Sequence, residues 1–249
     1  NMFEFLLFFT LIILFIVPLV SLLFLRKDGR SILSPFLMGV LVYLIGIKGL
    51  NALVYRLLSY LPGDSTVLWR NNWFYGIFTS LIVAVCTELV RFFILWLRNS
   101  KKHWSSSRRR NAVMGIGEGW ITGICTWGYF IAEVAFNLVT GKDISHYGLN
   151  AQYVGVMLVE KIIMIFMCIA LTFIAQFGVR TRKVQLYMGM CIFIHTIAKM
   201  ELFFIPYHFN LPMFVAEIFY AILTALAFAY GYVLIKSLHS RKKLKTPTS

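Results

Sequence analysis

The chain has 249 residues, of which 59% are hydrophobic, 16% aromatic and only 14% charged, and its mean hydropathy is +0.78. Soluble domains carry about a quarter charged residues, so this composition excludes a soluble enzyme or binding domain and indicates a polytopic membrane protein. A formal net charge of +14 would suggest nucleic acid in a soluble chain, but in a membrane protein positive charge first sets the orientation.

A bilayer crossing takes about 20 apolar residues at a rise of about 1.5 Å each. Seven runs are long enough: Phe3 to Leu25, Pro35 to Leu61, Asn72 to Leu97, Ala112 to Val139, Val154 to Val179, Val184 to Ile205 and Leu211 to Leu238. The first is too long for a signal-peptide core and lacks a basic flank before it, so it reads as a retained span. The predicted fold is all-α, a single seven-helix membrane domain over residues 1–238 followed by a basic cytoplasmic tail at 239–249. No connector between the runs is large enough to hold a domain, and neither an internal repeat nor paired Gly/Pro-broken spans of the transporter kind are present.

Alternate connectors differ in charge. Arg26, Lys27 and Arg30, then Lys101, Lys102 and four arginines from Arg98 to Arg110, then Arg180, Arg182 and Lys183, and finally Lys236, Arg241, Lys242, Lys243 and Lys245 hold 17 of the 24 basic residues. The opposite connectors offer only Arg70 and Lys142. This asymmetry predicts an outside N-terminus and a cytoplasmic C-terminus, makes the positive charge topological, and argues against a nucleic-acid partner. It also leaves Lys101 to Arg110 suited to anionic membrane lipid. Cys86, Cys125, Cys168 and Cys191 all lie in apolar runs without CxxC spacing, which excludes a disulfide framework and a zinc knuckle.

Charges inside the spans are costly and mark either pairing or function. The second span carries Lys48, Asn51 and Arg56; Lys48 is deep enough to need a carboxylate, for which Glu133 and Glu217 are candidates. The third carries Glu88 and Arg91 one turn apart, beside Thr87. The fourth carries Gly115, Gly119 and Gly123 at four-residue spacing, a side-chain-poor face against which another helix, internal or foreign, can pack closely. Glu118 borders that face, with Thr122 one turn on, so it should point into the bundle. In the sixth span His195 and Lys199 share a face. Counted from the cytoplasmic ends, Glu118 lies roughly 9 to 10 Å deep, Glu88 about 15 Å and His195 about 17 Å, depths at which the three can meet. Glu160, Lys161 and Glu201 lie near outer ends, where solvation or snorkelling accounts for them.

The order ExxR, then a glycine-rich GxG segment, then an intramembrane His two spans later resembles the YhfC family of intramembrane metalloproteases. That family is grouped with CAAX prenyl endopeptidases and PrsW in the CPBP superfamily, and more distantly with the seven-span scaffold subunit of gamma-secretase. The segment Arg26-Lys27-Asp28-Gly29-Arg30 followed by Pro35-Phe36-Leu37-Met38-Gly39 fits the same resemblance. It implies catalytic roles for Glu88, Arg91, Glu118 and His195 and a zinc held by Glu88, Glu118 and His195.

Departures from the family pattern qualify that implication. Where the family has EExxR, whose first Glu is the water-activating base, this chain has Thr87; where it has GxGHGxxE, Glu118 replaces the His and Thr122 the Glu. Lys199 stands where the family has Asn, Asp or His, and there it either repels a metal or neutralises Glu118. Peptide hydrolysis needs a base or metal-hydroxide, and Thr87 supplies neither. The expectation is therefore a degenerate protease fold with no cofactor. It would act as a scaffold or binding partner for a membrane protein or membrane-bound peptide, with Thr87, Thr122 and Lys199 completing a polar core. An active peptidase using Glu88, Glu118 and His195 is the alternative, and a small transporter a third class supported only by the buried charges. The expected location is the bacterial cytoplasmic membrane.

Overall fold

The computed structural model describes residues 2–25, 33–60, 72–100, 107–142, 151–208 and 212–243. The basic residues Arg26 to Arg30, Lys101, Lys102 and Lys245, together with Arg70, lie outside these, as does the side chain of Glu201. Every regular element among the described residues is helical. The helices are α1 (Met2–Leu25), α2 (Leu33–Leu58), α3 (Asn72–Ser100), α4 (Arg108–Val139), α5 (Ala151–Thr181), α6 (Val184–His208) and α7 (Met213–Lys243). Five of the seven contain stretches long and apolar enough to cross a membrane, in α2, α3, α4, α5 and α7. The qualifying apolar stretches of α1 and α6, Met2–Ile16 and Val184–Met200, are shorter.

Helices suit an apolar solvent because each satisfies its own backbone hydrogen bonds. The outer surface is correspondingly apolar: Phe5, Ile12, Leu41, Phe93, Phe166, Phe193 and Leu226 are all exposed. Inside, α5 is the central helix. It packs against α4 on one side and α7 on another, while α2 lies on α4, and α3 pairs with α6. The main core gathers Val90, Leu95, Met114, Leu171, Ile174, Cys191 and Ala227 from five of these helices.

Apolar burial gives little drive for helix association in lipid, so small residues that permit close backbone approach decide which helices meet. A methyl added at Gly115 would stand 2.5 Å from the Ile169 Cα, and one at Gly119 2.7 Å from the Ile165 Cα. The glycine face of α4 is thus filled by the chain's own α5. Gly117 on the other side of α4 and Gly39 of α2 interlock, each facing a backbone carbonyl of the other helix, those of Phe36 and Met114. Gly123 is less constrained, with Leu14 and Lys161 as its nearest neighbours.

Two local features were not foreseen. Helices α2 and α4 each widen into π-helical turns, over Leu44–Asn51 and Ile124–Gly128, and Tyr43 sits beside Cys125 where these segments approach. Such turns shift the side-chain register of the residues that follow. The α5–α6 link is a tight helix stop: Arg182 adopts a left-handed backbone (φ 59°) and the Lys183 N–H bonds the Gly178 carbonyl at 3.0 Å. Helix α4 begins at Ser107, whose hydroxyl accepts the Arg110 N–H at 3.2 Å.

Candidate functional site

The site is assembled from four helices. Glu88 and Arg91 lie one turn apart on α3; the glycine seam holds α4 against α5, and from α4 Glu118 reaches Arg91; α6, packed on α3, contributes His195 to Glu88. All four side chains are removed from solvent and lipid, at 0, 0, 2 and 8% exposure respectively.

Arg91 is the centre. Its Nη2 lies 2.6 Å from Glu118 Oε1 and its Nε 3.1 Å from Glu88 Oε2, so one guanidinium bridges both carboxylates. The Nε contact is close enough for ionic attraction but is not aligned as a hydrogen bond. Nη1 donates to the Cys168 carbonyl at 3.1 Å and to Thr172 Oγ1 at 3.4 Å, both on α5. The planar fork of an arginine is suited to such divided bonding, which a lysine could not reproduce. On the other side of Glu88, Oε1 meets His195 Nδ1 at 2.8 Å. With Glu88 ionised this nitrogen carries the proton and donates.

The remaining polar residues of the expected core are less involved. The Thr87 hydroxyl bonds back to the Val83 carbonyl at 2.7 Å, and Thr122 likewise to the Glu118 carbonyl at 2.7 Å. Both hydroxyls are spent within their own helices. Of the two roles left open for Lys199, repelling a metal or neutralising Glu118, the second is corrected: Arg91 occupies the ion-pair position, and Lys199 forms no ion pair with Glu118. The reason is steric as well as electrostatic. The seam sets α4 against α5, whose Cys168 carbonyl and Thr172 hydroxyl hold the same guanidinium, so Glu118 meets Arg91 there.

Sequence reasoning missed the α5 side of the cluster. Cys168, Thr172 and Gln176 recur at four-residue spacing on one buried face, and that spacing was the available signal. It also counted Arg98 among the charges of a connector, whereas Arg98 is buried and donates to Asn111 Oδ1 at 3.2 Å. Lys161 requires a second correction. It is buried rather than snorkelled, bonded to Glu160 at 2.6 Å and lying 5.8 Å over the Trp127 ring. Glu217 was offered as a counter-ion for Lys48; within the chain the charges that act on it are Glu160 and Lys161.

A zinc ion needs three or four donors converging on one point, with cations kept away. Here Glu88 and His195 are bonded to each other, and the Arg91 guanidinium stands between Glu88 and Glu118. Among the described residues no three His, Cys, Asp or Glu side chains converge in that way. As arranged, Glu88, Glu118 and His195 do not fit a zinc ion. One valence is left open, because Glu118 Oε2 is buried without a hydrogen-bond partner.

Residues 13–128 match the family model of the YhfC intramembrane metalloproteases. The matched stretch contains Glu88, Arg91 and Glu118 and stops short of His195. No curated protein matches the chain.

Proposed function

We propose that this YhfC-type membrane protein has kept the polar core of an intramembrane metalloprotease and lost its chemistry, and that it serves as a scaffold or binding partner for a membrane protein or membrane-bound peptide. One observation carries the reading: Arg91 bridges Glu88 and Glu118, filling with a fixed cation the place where a protease would need a metal or a free base. A guanidinium stays charged at any accessible pH and cannot take a proton from water. Thr87, where the family pattern has its base, bonds its own helix. The seven-span topology with an outside N-terminus, and residence in the bacterial cytoplasmic membrane, belong to the same proposal. The distant likeness to the gamma-secretase scaffold subunit agrees with it.

Co-purification in mild detergent tests the scaffold role. A stoichiometric membrane partner retained by the wild type supports it; a chain that purifies alone under conditions preserving its fold removes it.

A second reading has its own observation. Glu118 Oε2 has no partner, and a carboxylate oxygen with an open valence can hold a water for attack on a peptide carbonyl. In that case Glu118 or Glu88 activates the water and His195 assists. Glu118→Gln and His195→Ala would then each abolish cleavage of a processed membrane substrate, and full processing by both variants would dismiss it.

A further inference from the structure

Outside the cluster, Lys48 and Glu217 are among the span charges without an ion pair among the described residues, the first exposed and the second buried at the floor of a groove. Lys48, in the π-helical segment of α2, is exposed. It lies 15 residues beyond the start of α2 and ten before its end at Leu58, about 15 Å from that end, which is further than a lysine side chain reaches. Glu217, on α7, is only 6% exposed, yet its Oε2 has no hydrogen-bond partner. Lys161, the nearest cation, is bonded to Glu160 instead.

Glu217 opens into a groove of about 550 Å³ between α5 and α7, walled by Gly155, Val159 and Ile163 on one side and Ala221 on the other. The groove continues past Thr224 and Ala225. Thr224 is 4% exposed, and its hydroxyl also lacks a partner. Along α7, Ala221, Ala225 and Ala229 follow Glu217 at four-residue spacing, the pattern that admits another helix closely in lipid. Two buried polar groups at the floor of such a groove call for an occupant that brings a donor.

The packing registers show which donor is at the right height. Lys48 lies two residues past Gly46, which touches Thr87, and five past Tyr43, which sits beside Cys125. Glu217 shares its groove with Val159 and Ile163, and these flank Lys161, whose ammonium lies over Trp127. Both charges are therefore within about one helical turn of the level of Trp127. Copies inserted in one membrane share orientation and height, so a charge can pair across copies only with an opposite charge at its own level. Within one chain the two are kept apart by α4 and α5, since α2 packs on α4, α4 on α5 and α5 on α7.

We propose that the α5–α7 groove receives the α2 face of a second copy of this chain, with Lys48 of one copy paired to Glu217 of the next. The entering face is narrow where it must be: Ile45, Lys48, Gly49 and Ala52 form an exposed strip at helical spacing, two of them small. Because the two surfaces differ, the contact is head-to-tail, and copies of common orientation close into a ring.

Native mass spectrometry of the full-length chain in mild detergent tests this. Wild type should give multiples of the 28.7 kDa monomer. Lys48→Glu and Glu217→Lys should each shift it to monomer, with at least about a tenfold loss of assembly, and the double exchange should restore the multiples. Wild-type monomer at every concentration, single variants that assemble normally, or a double exchange that stays monomeric each overturn the pairing. So does a foreign chain or a lipid in place of the second copy. Should the single variants misfold, a lipid-soluble carbodiimide on mixed light and heavy-isotope wild-type copies replaces them. A Lys48–Glu217 amide joining light to heavy peptide supports the interface, and its absence while other carboxylates are modified overturns it.

Discussion

The two buried charge clusters of this bundle solve the same problem differently. Around Arg91, two carboxylates, an imidazole, a hydroxyl and a carbonyl converge from four helices; the guanidinium has partners on three of them, and His195 on the fourth is held through Glu88. Around Lys161 the bonding is local, to the adjacent Glu160, while Glu217 keeps an oxygen without a partner at the lipid-facing groove. A charge held from several helices fixes their mutual position, whereas Lys161, neutralised by its sequence neighbour, reaches another helix only through its contact with the Trp127 ring. The first cluster is thus a structural keystone, and the second is left available for a partner.

Substitutions can break or sharpen this contrast. The largest effect belongs to Arg91→Met, which strands two buried carboxylates and should cost about 3–5 kcal/mol, as expected when one partner of a buried pair is removed. Thermal unfolding in detergent measures it; a variant as stable as wild type would mean that Arg91 is not the keystone. Gly119→Leu follows, because its side chain must displace Ile165 across the seam, at a cost of about 1–3 kcal/mol or somewhat more. Its loss should appear as lowered stability rather than as release of a bound protein, since α5 of the same chain fills that face.

Lys161→Met should cost less than Arg91→Met, about 1.5–3 kcal/mol, because Glu160 stays 16% exposed and can recover some solvation. Equal costs would erase the distinction between the clusters. The smallest effect is expected of Thr172→Val, which keeps the side-chain volume and removes the 3.4 Å bond from Arg91 and the hydroxyl's 2.8 Å bond to the Cys168 carbonyl, about 0.5–1.5 kcal/mol.

The keystone was largely legible in the sequence. Glu88, Arg91, Glu118 and His195 stand out because charge is costly in an apolar run, and counting depth from the helix ends already put three of them at compatible levels. Their pairing was less legible. Nothing in the spacing says that Glu118 meets Arg91 rather than Lys199; that follows from how closely the glycines let α4 approach α5. Thr172 and Cys168 went unnoticed because such residues are ordinary in membrane helices and only their neighbours give them a role. Lys161 and Arg98 were assigned to the water interface on their distance from a span end, but side-chain direction, which the helix rotation sets, turns both inward. The π-helical turns in α2 and α4 have no signature in composition, and they alter the rotation of everything after them.

The zinc content of the full-length protein, purified without chelators, bears most directly on whether the polar core has outlived its chemistry. Substoichiometric zinc, unchanged in Glu88→Gln, Glu118→Gln and His195→Ala, is the result expected if Arg91 holds the centre. One zinc per chain, lost in each of those three variants, would contradict it and restore a metalloprotease site.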